Sequence, residues 1–261
     1  VDDDFMGYPI EDFEATVASI EDLSPTIKGI RLELDHPIEF QAGQYINIDL
    51  PGVEGARAFS IANKPSDNGV IELHVRRVPD GAGTGYVHEQ MQVGETLHLS
   101  GPYGQFFTRK SAPEDLIFIA GGSGLSSPQS MVLDLLEHGD TRKITLLQGA
   151  RNLSELYNRE LFEQLAAEHD NFNYVPALDA PLDEDNWAGF SGYVHEAAVE
   201  HFGGQFAGHK AYLCGPPPMI DAAITALMQG RLFERDIYME RFLTAADGAE
   251  GATKSALFKK I

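Results

Sequence analysis

The chain has 261 residues, 43% of them hydrophobic and 23% charged, enough to bury one large core or two ordinary ones. Nineteen basic against 40 acidic side chains give a formal charge of −21, which argues against nucleic acid or an anionic membrane as a main partner. Any bound phosphate must therefore be held by local devices. The single cysteine, Cys214, excludes a disulfide, a Cys-rich zinc site or a four-cysteine iron–sulfur cluster within these residues. The nine histidines show no metal-ligand spacing, so no metal site is expected. No apolar run reaches membrane-spanning length and no signal peptide is visible, so a cytoplasmic location is expected.

Residues 12 to 108 read as strands. "IKGIRLELD" puts Ile30, Leu32 and Leu34 on one face and Arg31, Glu33 and Asp35 on the other. "QYINIDL" repeats the pattern with Ile46, Ile48 and Leu50, and "VIELHVRR" with Ile71, Leu73 and Val75. Period-two alternation with one polar face predicts antiparallel strands in a small barrel or sandwich. After "SAPED" (111–115) the pattern changes. "LIFIAGG" is a continuous apolar run, followed by Leu125, Met131, Val132, Leu135 and Leu136 at helical spacing. "KITLLQG", a helix over about 153–168, "FNYVPAL", a helix near 192–202, "KAYLCG", a helix over 216–228 and "DIYMERF" continue the alternation. Strands alternating with helices predict a doubly wound parallel sheet. The expected organisation is thus residues 1–10 as a leader, 11–111 as the first domain, 112–243 as the second and 244–261 as a tail that docks through Leu257 and Phe258, if at all.

Several segments could carry chemistry. "RAFS" sets Arg57 in a turn-bounded apolar stretch of an acidic chain, where it asks for an anionic partner. "IAGGSGLSSP" joins a strand to a helix through Gly121, Gly122, Ser123 and Gly124, with Pro128 in the helix's first turn. Such a turn lets backbone N–H groups approach a pyrophosphate, but it lacks the third glycine of the dinucleotide fingerprint and reads equally as a plain strand-to-helix turn. In "YLCGPPPMIDA", Cys214 and Gly215 end a buried strand at the same rim. Standing alone, Cys214 is a small buried hydrophobe.

Taken together, "RAFS", "GAGT" (81–84), "GPYGQF" (101–106), "GGSGLSSP", "CGPPPM" and "ERF" (240–242) resemble, in order, the ferredoxin–NADP reductase-like flavoproteins. The resemblance runs from about Phe13 to Phe242. The "SIAN" after the arginine motif and the "SALFKKI" end resemble the reductase component of bacterial phenol and toluene hydroxylases. The resemblance implies an antiparallel β-barrel that binds FAD, followed by an α/β domain that binds NADH, with NADPH possible.

It further implies that Arg57 meets the FAD pyrophosphate, that Ala58 and Phe59 lie on the flavin, and that Ser60 lies near its N5. Tyr is usual at the Phe59 position, and without the motif Phe59 would read as ordinary core. His74, Val75 and Arg76 correspond to the second flavin contact, Arg76 being equally a solvated strand residue by pattern. Gly81, Ala82, Gly83 and Thr84 correspond to a phosphate turn. Gly121, Gly122, Ser123, Gly124 and Leu125 would bind the nicotinamide dinucleotide, with Cys214, Gly215, Pro216 and Pro217 beside its ring and Arg151 near the adenosine ribose. Glu240 and Phe242 would flank the flavin, although Glu240 also fits a solvated strand-end carboxylate. Ser60, Cys214 and Glu240 are the catalytic candidates.

Hydride would pass from NADH to FAD and electrons onward to a plant-type [2Fe–2S] ferredoxin domain and an oxygenase component. One cysteine cannot ligate that cluster, so the chain reads as the reductase portion of a longer protein or a paralogue without that domain. A stand-alone flavin reductase or NAD(P)H oxidase shares every motif. A non-catalytic flavin- or nucleotide-binding regulator is the rival from another class.

Overall fold

The computed structural model describes residues 4–242. The tail expected at 244–261, and the start of the leader, lie outside the described residues. Contacts divide the chain into two compact units, Val1–Ala112 with Ser126–Asp140, and Pro113–Leu125 with Thr141–Ile261.

The first unit holds β1 (Glu11–Asp22), β2 (Ile27–Leu34), β3 (Tyr45–Asp49), β4 (Arg57–Ser60), β5 (Val70–Arg76), α1 (Ala82–Glu89) and β6 (Thr96–Tyr103). Its six strands are all antiparallel, in the order β4-β3-β6-β1-β2-β5. The sheet curls toward closure: just past β4, Ala62 N donates to Glu72 O of β5 at 2.9 Å. The alternation read from sequence is what builds this barrel. Ile30, Leu32, Ile46, Ile48, Ile71, Leu73 and Val75 are buried in one core with Phe13, Val17, Leu97 and Leu99. Arg31 and Glu33 stay exposed, as alternation across a half-solvated sheet requires.

Reading 12–108 as strands missed α1. Its eight residues, AGTGYVHE, include two glycines and bury one side through Tyr86 and Val87, too little periodicity to signal a helix.

The second unit holds β7 (Asp115–Gly121), after which a 3₁₀ turn (Gly122–Leu125) leads to α2 (Ser126–Glu137). Then come β8 (Ile144–Ala150), α3 (Arg159–Glu168), β9 (Phe172–Leu178), β10 (Phe190–Ser191), α4 (Val194–Phe202), β11 (His209–Gly215), α5 (Pro217–Gln229) and β12 (Ile237–Arg241). The sheet is wholly parallel, in the order β10-β9-β8-β7-β11-β12. One face packs α4 and α5 through Ala197, Ala198, Ile220, Ala223 and Ile224 against Ile117, Ile119, Leu147 and Leu213. The other carries an aromatic row, Phe118–Tyr212 at 5.2 Å and Tyr212–Tyr238 at 5.0 Å, with Phe162 of α3 stacked on Tyr174. The helix expected over 153–168 is broken. A 3₁₀ turn (Leu153–Glu155) precedes Asn158, whose left-handed backbone (φ 59°) stops continuation, and α3 starts at Arg159.

By its contacts α2 groups with the first unit. Gln129 Nε2 donates to Ala62 O at 3.3 Å and Ser130 Oγ to Asn63 O at 2.8 Å. Lys110 and Lys64 pair with Asp134 and Glu137. No helix among the described residues is long and apolar enough to cross a membrane.

Candidate FAD and nicotinamide sites

In the first unit, the short edge strand β4 carries the arginine motif. Arg57 Nη1 donates to Glu54 O at 2.8 Å and Gly55 O at 3.2 Å, which fixes the guanidinium at the turn. Its hydrogen-bond partners there are carbonyls and carry no charge. Phe59, half-buried, packs against the barrel core, and Ser60 beside it is buried while Ala58 is exposed.

The start of α1 meets Arg57: a Cβ on Gly83 would stand 2.8 Å from Arg57 Cγ, so only glycine lets the two approach. Gly81 is the N-cap and offers no side chain to the helix. The first N–H groups of a helix lack intrahelical acceptors, and here they open beside a fixed cation. Thr84 Oγ1 accepts the Val78 N–H at 3.0 Å, so its oxygen is already used within the turn. This donor set of a guanidinium and an uncapped helix start fits a diphosphate. On β5, His74 and Val75 are buried and Arg76 is exposed at the strand end.

In the second unit, strand order reverses between β7 and β11, and that is where ligands enter open α/β sheets. The 3₁₀ turn from Gly122 to Leu125 crosses this point. A Cβ on Gly124 would lie 2.4 Å from Cys214 O, and one on Gly121 would lie 2.5 Å from Met219 Sδ. Gly122 has a left-handed backbone (φ 55°) and Ser123 is buried. Cys214, fully buried, is in register with Ala120 on one side and Glu240 on the other, so the three side chains leave the same face. Phe242 N donates to Gly215 O at 2.9 Å, which holds the strand ends together. Pro216 caps α5 and Pro217 opens it, using the position where a missing N–H costs nothing. Glycines that allow close backbone approach at a switch point fit a dinucleotide.

Arg151 follows β8, and Asp179 follows β9. Arg151 Nε lies 3.4 Å from Asp179 Oδ1, and the segments are also joined by Asp179 N to Ala150 O and Ala180 N to Arg151 O. Arg151 was expected near the adenosine ribose, whereas Asp179 was not anticipated, because that acid follows the next strand, 28 residues on. Asp134, Glu137 and His138 on and after α2 bring three metal-capable groups together, apart from any residue singled out in the sequence.

These two units define a flavoprotein oxidoreductase, with an FAD-binding barrel and a nicotinamide-binding sheet. Residues 14–108 match the oxidoreductase FAD-binding domain family and residues 118–225 the oxidoreductase NAD-binding domain family. The chain belongs to the ferredoxin–NADP reductase-like flavoproteins, as an NADH-dependent enzyme of that class. It is 67% identical over 260 residues to the phenol 2-monooxygenase reductase component DmpP of a Pseudomonas species, a match that covers 100% of this chain and 74% of that protein. The phenol hydroxylase P5 protein of Acinetobacter pittii is 66% identical with the same coverage. The crystal structure of the Amycolatopsis cytochrome P450 reductase GcoB is similar with a TM-score of 0.83 and 32% identity, over 90% of this chain and 71% of that one.

Proposed function

We propose that this chain is the reductase of a multicomponent phenol hydroxylase, taking electrons from NADH and passing them through FAD to a [2Fe–2S] carrier and an oxygenase. The observation that carries the proposal is 67% identity, along the whole chain, to a phenol 2-monooxygenase reductase component. Bound FAD supplies a centre that accepts a hydride and releases electrons one at a time.

The chain's own residues bind, orient and exclude water. Arg57 would offset the charge of the diphosphate and the N–H groups at the start of α1 would donate to it. Phe59 would pack against the flavin, with Ala58 beside it on β4 and Ser60 supplying a hydroxyl. His74, Val75 and Arg76 would supply the second contact to the flavin, with the exposed Arg76 as its cation. Gly121 to Leu125 let the nicotinamide dinucleotide lie against backbone, and Gly215, Pro216 and Pro217 shape the floor beside Cys214. Cys214, in register with Glu240 on the adjacent strand, would lie beside the nicotinamide ring. Small displacements of such positioning groups are costly in rate.

NADH is preferred over NADPH on this reading, because Asp179 both occupies Arg151 and opposes the charge of a third phosphate. The [2Fe–2S] ligands must come from outside these residues, since Cys214 is the only cysteine.

The test pairs two reactions. With NADH the chain should reduce ferricyanide rapidly, because that acceptor takes electrons directly from a reduced flavin. It should not support phenol hydroxylation by the partner oxygenase until a [2Fe–2S] protein is added. Unaided hydroxylation at comparable rates would replace the carrier with a direct route, and no hydroxylation in either case would favour a stand-alone flavin reductase.

A further inference from the structure

α1 is fastened to the chain at the end of β5 and just beyond it. At its amino end Thr84 Oγ1 accepts the Val78 N–H, and Gly81 N donates to Val78 O at 3.0 Å. At its carboxyl end His88 Nε2 lies 2.7 Å from Val75 O, and Glu89 pairs with Arg77. Among the described residues, the His88 bond is the one of these that reaches the strand itself. Its acceptor precedes Arg76, in the segment assigned above to the flavin, while the other end of α1 rests against Arg57 through Gly83.

We propose that His88 is a positioning residue for the FAD site, whose Nε2–H, donated to Val75 O, sets the uncapped start of α1 against Arg57 and the end of β5.

The inference rests on the FAD reading above. A carbonyl can only accept, so the ring nitrogen facing it carries the hydrogen, and the neutral ring suffices as donor. Burial lowers the pKa of His88. The Val75 bond raises it, Lys28 of β2 and Arg77 lower it, and Asp22 of β1 raises it. Glu89, on α1 itself, is already matched to Arg77. Near neutral pH the residue therefore acts by placement and not by charge, which separates its role from that of Arg57. Without the bond, the carboxyl end of α1 is still held by the exposed Glu89–Arg77 pair and by Tyr86, whose hydroxyl donates to Glu95 Oε2 at 2.6 Å, so the start of α1 shifts slightly against Arg57 and does not come loose.

The experiment is titration of FAD-stripped protein with FAD, followed by flavin fluorescence, for the wild type, His88→Leu and His88→Gln. Unfolding of each apoprotein is measured alongside. Leucine fills the space without a donor, whereas the glutamine amide reaches the same carbonyl. His88→Leu should weaken FAD binding about threefold to tenfold, the worth of one neutral hydrogen bond, and His88→Gln should restore it to within about twofold. If His88→Leu does not fold, His88→Asn, too short to reach Val75 O, takes its place with the same expected loss. Wild-type affinity in the Leu or Asn variant, or failure of Gln to rescue, overturns the role of His88. A wild-type chain that takes up no FAD would instead overturn the FAD reading on which it rests.

Discussion

Replacing Gly124 by alanine isolates the switch point of the parallel sheet. The new Cβ would stand 2.4 Å from Cys214 O, 2.6 Å from Gly215 Cα and 2.7 Å from Cys214 C, where ordinary contact begins at 3.4 Å. All three neighbours are backbone atoms at the end of a central strand, so none can swing aside as a side chain would. The turn after β7 and the end of β11 must separate by up to about 1 Å, and overpacking of this kind costs about 1–3 kcal/mol. At about 2–4 °C per kcal/mol for a chain of this size, the melting temperature should fall by roughly 2–12 °C. Because the displaced segments are those assigned to the dinucleotide, KM for NADH should rise while FAD stays bound. The assay is thermal unfolding of the FAD-loaded protein together with NADH-dependent ferricyanide reduction. Gly85→Ala is the control: nothing lies within 4 Å of its Cβ, and in a helix the change should be neutral or stabilise by up to about 1 kcal/mol. Wild-type melting and an unchanged KM in Gly124→Ala would refute the claim that β7 and β11 meet too closely there for a side chain.

Arg57→Ala removes a charge-assisted contact worth about 1.5–3 kcal/mol, so FAD should bind more weakly by roughly one to two orders of magnitude, and equilibrium titration with unchanged affinity would remove Arg57 from the site. Asp179→Ala frees Arg151, and the NADPH-to-NADH ratio of kcat/KM should rise by at least about tenfold; a constant ratio would acquit the carboxylate. Burial raises the pKa of Glu72, but the His74 ring, with Nε2 3.5 Å from Oε1, together with Arg31 and the Gln129 amide that donates to Oε2, outweighs this and holds it below the usual 4.5. A folded-state value below the unfolded one adds stability above about pH 4.5 that is lost as pH falls through the folded value. Urea titrations from pH 6 to 3 should therefore show a shallower acid loss in Glu72→Gln than in the wild type, and parallel curves would contradict the assignment.

The barrel strands were legible because burial on one face writes itself as alternation, and Ile30, Arg31, Leu32 and Glu33 hold the sides that their chemistry predicts. The parallel sheet was legible for the opposite reason: strands covered on both faces appear as unbroken apolar runs such as LIFIAG. The glycine turn and the cysteine could be seen in the sequence, but their meeting could not. It depends on β11 returning beside β7 after β8, β9 and β10 have been laid on the other side. Asp179 and His88 escaped for a related reason, because each acts on a group 28 or 13 residues away, and neither spacing has a local signature. The polar contacts of α2 with the barrel were hidden too. Its buried face includes Ser127, Gln129, Ser130 and Asp134, polar residues that a hydrophobic pattern counts as exposed.

That helix gives the two units an interleaved chain. The polypeptide leaves the barrel unit after Ala112, returns to it at Ser126 and departs again after Asp140. A recombination event that exchanged everything beyond residue 112 for the corresponding part of a distant relative would replace Gln129, Ser130, Asp134 and Glu137 while keeping the Ala62, Asn63, Lys110 and Lys64 that receive them. Chimeras of this protein should therefore tolerate a crossover at 112 only when α2 is inherited with the barrel, as a cassette spliced across two junctions.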